Sequence, residues 1–164
     1  MFRLETERLI LREMRAEDAT ELLAVFGDPK VMAAFAAQPF DAERMRNWVE
    51  RNLRHQREHG YGLFSVVDRV DGVVIGDCGL ERMDIGAELG YDLRSDYWGR
   101  GLATEAASAV RDLAFSDLGL VRLVSLVRVG NHASERVATK IGMSFVEQIE
   151  RGGIRYRLFA IDRG

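Results

Sequence analysis

Glu88-Leu89-Gly90-Tyr91-Asp92-Leu93-Arg94-Ser95-Asp96-Tyr97-Trp98-Gly99-Arg100-Gly101-Leu102-Ala103-Thr104-Glu105-Ala106 is the densest signal in the chain. It reads as a strand, Gly86–Leu93, running through a Gly-x-Gly-x-Ala turn into a helix from about Ala103 to Leu118. Ala103, Ala106, Ala107, Val110, Leu113 and Ala114 fall on one helical stripe, and Gly119 stands where the helix should stop. Small residues at 99, 101 and 103 let a ligand approach the backbone closely. The unpaired N–H groups of the helix's first turn then favour an anion such as pyrophosphate. A glycine-rich connection that only packs tightly would show the same short pattern. The stretch is neither the six-residue dinucleotide fingerprint nor a nucleotide P-loop, whose Gly-Lys-Ser/Thr ending it lacks.

Outward from that stretch, Leu63–Asp68 and Val73–Leu80 are rich in β-branched and apolar residues, and Asp71-Gly72 between them marks a hairpin. Further upstream, Asp41 is placed to cap a helix running to about His59. Met45, Trp48, Val49 and Leu53 form its apolar stripe, and Gly60 ends it. Arg44, Arg51 and Arg54 are expected on its solvent face. Pro29 and Pro39 bracket the segment between this helix and an earlier one, from about Glu17 to Phe26, which follows a short strand at Leu9–Arg12. Downstream come a strand at Arg122–Arg128, a helix from about Ala133 to Ile141, and two strands, Ser144–Glu150 and Ile154–Ile161, joined at Gly152-Gly153. The order β-α-α-β-β-β-α-β-α-β-β predicts an α+β fold, a central mixed sheet with helices on both faces.

The 164 residues fit a single domain over residues 1–164, and 47% hydrophobic with 30% charged residues is the balance of a globular protein. With 23 basic against 26 acidic residues, the net charge of −3 disfavours a protein that works by neutralising nucleic-acid phosphates. No apolar run approaches the roughly 20 residues of a membrane span, and the charged start offers no signal peptide. Cys78 is the only cysteine, which excludes an internal disulfide and suits a reducing compartment, so a cytoplasmic setting is expected. A lone strand thiol of this kind is expected to be an inert small hydrophobe. His55, His59 and His132 form no paired-histidine zinc motif, so no metal is expected.

Four segments together carry a family resemblance: Leu4-Glu5-Thr6-Glu7-Arg8-Leu9-Ile10-Leu11-Arg12 with Glu17-Asp18-Ala19; Ala87-Glu88-Leu89-Gly90-Tyr91; Tyr97-Trp98-Gly99-Arg100-Gly101-Leu102-Ala103-Thr104-Glu105-Ala106; and Asn131-His132-Ala133-Ser134-Glu135-Arg136-Val137-Ala138-Thr139-Lys140-Ile141-Gly142-Met143. In this order they resemble the GNAT acyl-CoA N-acyltransferase superfamily, within it the ribosomal-protein N-terminal acetyltransferases. The resemblance covers nearly the whole chain. It implies a sheet that splays between the strands at 86–93 and 122–128, with acetyl-CoA as co-substrate.

The resemblance also implies roles. The superfamily turn reads Gln/Arg-x-x-Gly-x-Gly/Ala; its end matches Gly101-Leu102-Ala103, whereas its first position falls on Trp98, a departure usual in this branch. Backbone amides across Trp98, Gly99, Arg100, Gly101, Leu102, Ala103 and Thr104 are therefore expected to hold the CoA pyrophosphate. The charge of Arg100 would add to this, while Arg94 reads either as a second phosphate contact or as a solvated charge. Asn131 reads as a helix N-cap and Ser134 as a first-turn residue. In the family the matching asparagine lies against the pantetheine arm and the matching serine lies near the thioester sulfur. The tyrosine that many members use further along this helix is Ala138 here. Ser134 is therefore the candidate for assisting the departing thiolate, against a purely capping role.

Glu88 is a charge among apolar strand neighbours, in the family's position for a base acting through water; the other reading is a solvent-facing glutamate. Tyr91 is the lesser candidate beside it. The expected reaction is acetyl transfer to a primary amine through one ternary complex, with a protein or peptide N-terminal α-amine as the acceptor. A small amine (an amino acid, polyamine or drug) is the alternative within enzymes, and a non-catalytic acyl-CoA sensor the alternative outside them. The acceptor cleft is expected between Gly27–Phe40 and the hairpin around Arg151–Arg155. No nucleic-acid or membrane partner is expected, and the chain is expected to be a monomer or homodimer.

Overall fold

The structure is a computed structural model describing residues 2–164. Eight strands form one sheet: β1 (Arg3–Glu5), β2 (Leu9–Glu13), β3 (Leu63–Asp68), β4 (Val74–Met83), β5 (Gly86–Leu93), β6 (Arg122–Arg128), β7 (Ser144–Arg151) and β8 (Ile154–Asp162). Their order across the sheet is β1-β2-β3-β4-β5-β6-β8-β7. Every neighbouring pair is antiparallel except β5 and β6, which run parallel because a helical crossover joins them. Five helices complete the fold: α1 (Ala19–Phe26), α2 (Pro29–Met32), α3 (Ala42–His59), α4 (Leu102–Ser116) and α5 (His132–Lys140). The expected α+β architecture, a mixed sheet with helices on both faces, is the one observed.

The two faces bury separate cores. On one, Leu11, Val66, Ile75, Leu80, Leu89 and Leu123 pack against the alanine-rich stripe of α4 and against Ala138 and Ile141. The small residues Ala106, Ala107 and Ala114 bring α4 close to the strands, and the stripe is close to the one the periodicity predicts. On the other face Leu22, Val25, Met45 and Val49 cover Leu63, Val67 and Val74. Leu22 and Met45 are fully buried, so truncating either to alanine should cost about 2–5 kcal/mol. The Asn52 side chain pairs with both the N–H and the carbonyl of Leu63, at 2.9 and 3.0 Å, and so ties α3 to the start of β3.

Two elements depart from the sequence reading. β1 has only Leu4 as an apolar residue, too short an alternation to detect; it exists because Leu4 pairs with Leu11 on β2. α2 begins at Pro29, where Asp28 accepts a hydrogen bond from the Lys30 N–H at 2.9 Å. The proline taken as a bracket is instead the first residue of a helix. Elsewhere the local chemistry acts as read. Asp41 caps α3 by accepting from the Arg44 N–H at 2.8 Å, and Gly152 and Gly153, at φ 56° and 79°, turn β7 into β8.

Candidate active site

β5 and β6 pair over only two positions, Ala87 with Leu123 and Glu88 with Val124, and then part. Beyond that vertex, side chains replace the missing ladder. The Ser125 hydroxyl donates to the Leu89 carbonyl at 2.7 Å, and the Trp98 indole N–H donates to the Leu93 carbonyl at 2.9 Å. The Leu126 N–H donates to the Glu88 carboxylate at 2.9 Å. Glu88 is partly buried at this vertex. Burial pushes its carboxyl up to about 7, outweighing the Leu126 hydrogen bond, while Glu81 and Asp92 add to the rise and Arg151 opposes it. A carboxyl in that range is partly ionised near neutrality and can accept a proton there.

The turn from β5 into α4 holds Gly99 and Gly101 at φ 78° and 75°, a left-handed backbone that L side chains rarely adopt. Gly101 is the N-cap of α4, and no side chain caps the helix, so its first N–H groups are free to meet a ligand. Trp98, Gly99, Gly101, Leu102, Ala103 and Thr104 line a cavity of 1080 Å³. Arg100 does not. Its guanidinium and that of Arg94 lie over the Tyr97 ring, each 4.9 Å from the centroid, and Arg94 is paired with Asp96 at 2.7 Å. Neither arginine side chain lines the cavity, and the pairing of Arg94 with Asp96 fits the surface-charge reading of that residue. Basic side chains that do line the cavity include Arg136 and Lys140, one turn apart on α5. Their four-residue spacing was the available sequence signal.

The turn is anchored from behind. Arg8 donates to the Arg100 carbonyl at 2.9 Å and to the Glu105 carboxylate at 2.8 Å. Glu105 also accepts from the Arg8 N–H and the Thr6 hydroxyl. Burial would raise the Glu105 carboxyl, yet these donors hold it below its ordinary value. The N-terminal segment Thr6-Glu7-Arg8 thus positions the glycine turn.

Ser134, Asn131 and Tyr91 meet on the far side of the cavity. Asn131 accepts from the Ser134 N–H at 3.2 Å, so the cap is Asn131. The Ser134 hydroxyl donates to the Tyr91 hydroxyl at 3.1 Å, and Tyr91 donates onward to the Ser134 carbonyl at 2.7 Å. Burial pushes the Tyr91 phenol up to about 12, which keeps it protonated. Two sequence candidates, Ser134 and Tyr91, thus form one hydrogen-bonded unit.

The remaining walls are the segments expected for an acceptor cleft. Met32, Phe35 and Phe40 come from the Gly27–Phe40 stretch, and Arg151 and Tyr156 from the β7–β8 hairpin. Phe26 stacks on Phe40 at 5.6 Å and meets Trp48 at 4.9 Å. Arg44 and Arg51, expected with Arg54 on a solvent face, also line the cavity, and Arg44 lies over Phe40 at 4.4 Å. Sequence reasoning missed Asp77, Glu81 and Asp92, which line the same space. Their signal was a pair of acids four residues apart on one strand face, Asp77 with Glu81 and Glu88 with Asp92. Cys78, between Asp77 and Gly79, is fully buried in the α4-side core, and burial pushes its thiol well up. His55 and His59 lie 4.6 Å apart on α3, away from His132 on α5. Among the described residues no group of three His, Cys, Asp or Glu side chains is arranged to hold a metal ion.

Comparison with known proteins agrees with this geometry. Residues 8–144 match the acetyltransferase (GNAT) domain family. N-acetyltransferase p20 of Bacillus licheniformis is 34% identical over 142 residues, spanning 84% of this chain and 80% of p20. The crystal structure of an acetyltransferase from Agrobacterium tumefaciens superimposes with a TM-score of 0.86 at 28% identity, over 99% of this chain and 95% of that one. The fold is also that of RimL, a ribosomal L7/L12 α-N-protein acetyltransferase solved in complex with coenzyme A. It has a TM-score of 0.79 at 18% identity, over 98% of both chains.

Proposed function

The chain belongs to the GNAT acetyltransferase family, and on that premise we propose that it acetylates the N-terminal α-amine of a peptide or protein, with acetyl-CoA as donor and Glu88 as the base. The observation that carries this reading is Glu88 itself, a partly buried carboxyl at the vertex of the parted strands, poised at about 7 and facing the cavity. An ammonium cannot attack a thioester, so the acceptor must lose a proton first. Glu88 accepts it, directly or through one water, while Leu126 holds the carboxylate in place.

Acetyl-CoA, as second substrate, brings the activated acetyl thioester. The uncapped first turn of α4, with Trp98 to Thr104, suits its pyrophosphate, and Arg136 and Lys140 add positive charge beside it. Asn131 and Ser134 face the same cavity. The new C–N bond forms as the C–S bond breaks, and the Ser134 hydroxyl, on turning its hydrogen away from Tyr91, is the donor for the departing thiolate. Most of the acceleration is assigned to positioning within one ternary complex. The sensor reading is disfavoured because a base candidate and a hydroxyl donor both line the cavity. The single domain spans residues 1–164, and the lone free thiol of Cys78 suits a cytoplasmic setting.

Mass spectrometry of a panel of peptides, ribosomal proteins and small amines after incubation with acetyl-CoA tests the proposal. Acetylation at α-amines of peptides supports it; turnover confined to small amines overturns the acceptor assignment.

A further inference from the structure

On β4 and β5 the register places Asp77 opposite Asp92, Gly79 opposite Gly90, and Glu81 opposite Glu88. Alternation puts these six residues on one face of the two strands. The face is thus a strip with a carboxyl pair at each end and glycines between. A Cβ placed on Gly90 would meet nothing within 4 Å, so the space between Glu88 and Asp92 is open. All four acids line the cavity.

The inner pair, Asp77 and Asp92, is hydrogen-bonded within itself and leaves one oxygen of Asp77 without a partner. Asp77 is 1% exposed, and its Oδ1 has no hydrogen-bond partner. Burial, with Asp92 beside it, holds the Asp77 carboxyl well above its ordinary value, and burial raises Asp92 to about 6. Arg44, Arg51, Arg128, Arg136, Lys140 and Arg151 also line the cavity. Among the described residues none of them is ion-paired with any of the four acids: Arg151 pairs with Asp84, and Arg44 lies over Phe40. A buried carboxyl with an unsatisfied oxygen is costly to keep and is ordinarily matched by a donor. Here both members of the pair line the cavity, and Asp92 is the more exposed of the two.

The same cavity is also lined by the clustered rings of Phe26, Phe40 and Trp48. Such a surface suits a methylene chain and attracts a cation over its rings. Asp92 lies four steps along the strand from Glu88, about 13 Å between their Cα atoms.

Resting on the transferase reading above, we propose that the acceptor carries a second cationic nitrogen, held at Asp77 and Asp92 across an apolar spacer, while the reacting amine lies at Glu88. Two sources share this chemistry: a free diamine, or a peptide whose basic side chain lies next to its N-terminus.

The test compares matched acceptors with and without the second charge. One pair is 1,5-diaminopentane and pentylamine; the other is two peptides that differ only in lysine or norleucine at the second position. The readouts are kcat/KM and the melting temperature with each amine alone. In the wild type the dicationic member of at least one pair should be preferred tenfold or more. That ratio should fall towards one in both Asp77→Asn and Asp92→Asn; taking a ratio within each variant cancels any general loss of folding. Preference in the peptide pair supports both readings. Preference in the diamine pair, with neither peptide turned over, supports the second cation and overturns the peptide assignment. Equal turnover of both peptides and of both small amines overturns the second cation and leaves the transferase intact. If no amine reacts, a melting temperature raised more by the diamine than by pentylamine supports the site, and no difference overturns it.

Discussion

The Leu126 N–H donates to the Glu88 carboxylate at 2.9 Å, across the point where β5 and β6 stop pairing. One oxygen of Glu88 thereby does the work of a strand neighbour, and the side chain still lines the cavity. This double duty separates structure from chemistry in a single substitution. Glutamine keeps an oxygen for Leu126 but cannot take up a proton.

Glu88→Gln should therefore fold and bind acetyl-CoA as the wild type does, while kcat/KM for the amine falls by roughly 10²–10⁴-fold. The acidic limb of the pH–rate profile, expected near 7 from the raised carboxyl, should disappear in the variant. A retained limb with near-normal rate would remove Glu88 as the base.

Stability should also depend on pH through this cluster. Glu88 rises from 4.5 to about 7 and Asp92 from 3.8 to about 6, so the fold holds their protons more tightly than the unfolded chain does. The resulting stabilisation is fully present below about 4 and is lost as pH rises through 6 to 7. Asp18 acts in the opposite sense. Although burial opposes it, hydrogen bonds from Arg12, Ser65 and Arg15 lower its carboxyl, and its contribution is lost as pH falls through that lowered value. Denaturant melts at pH 5 and 8 should show Glu88→Gln gaining on the wild type by on the order of 1–2 kcal/mol at the higher pH, after allowance for solvent screening.

Gly101→Glu tests the phosphate turn. The site has room, the nearest atom to an added Cβ being an Arg8 side-chain nitrogen at 3.7 Å, but its φ of 75° disfavours any side chain. A stability loss of about 1 kcal/mol is expected from the backbone. Calorimetry should show acetyl-CoA binding lost as negative charge enters the helix N-terminus. Unchanged affinity in a folded variant would move the pyrophosphate elsewhere.

Ser134→Ala, Tyr91→Phe and Asn131→Ala divide capping from chemistry. Asn131→Ala removes the cap and should cost about 0.5–2 kcal/mol. Ser134→Ala leaves that cap intact, so a fall in kcat with unchanged acetyl-CoA affinity assigns its hydroxyl to the thiolate. Tyr91→Phe leaves the Ser134 carbonyl without this donor, and comparing its kcat with that of Ser134→Ala tells which hydroxyl acts.

Arg8→Ala should loosen the glycine turn without touching the cavity, since Arg8 acts through the Arg100 carbonyl and Glu105. Acetyl-CoA affinity should weaken several-fold while kcat at saturation changes little. Calorimetry and steady-state kinetics check the two halves.

What could be read from the sequence followed from local rules. The β5–turn–α4 stretch, the Asp41 and Asn131 caps and the α4 stripe depend on residues near one another in the chain, and they are where expected. β1 was invisible because its existence depends on pairing with β2 rather than on its own pattern. The Asp77–Asp92 pair was invisible because it depends on cross-strand register. Arg94 and Arg100 stand next to a phosphate-type turn, yet the ring of Tyr97 holds them, a contact that a motif does not contain. The Trp98 indole and the Ser125 hydroxyl have roles only because the strands part, which no local pattern encodes.

That parting leaves a strand edge inside the molecule rather than on its rim. Outer edges invite other chains to pair with them and to aggregate. An edge enclosed between β5 and β6 is screened from that hazard, because it lies at the centre of the sheet rather than at β1 or β7. Its backbone groups can stay uncommitted at the centre of the fold, with only Ser125 and Trp98 reaching across to two of its carbonyls. Amide hydrogen exchange at Leu89, Tyr91 and Leu93, which alternate with residues facing β4, should consequently be fast for a strand so central in the sheet, and should slow sharply when the slot fills.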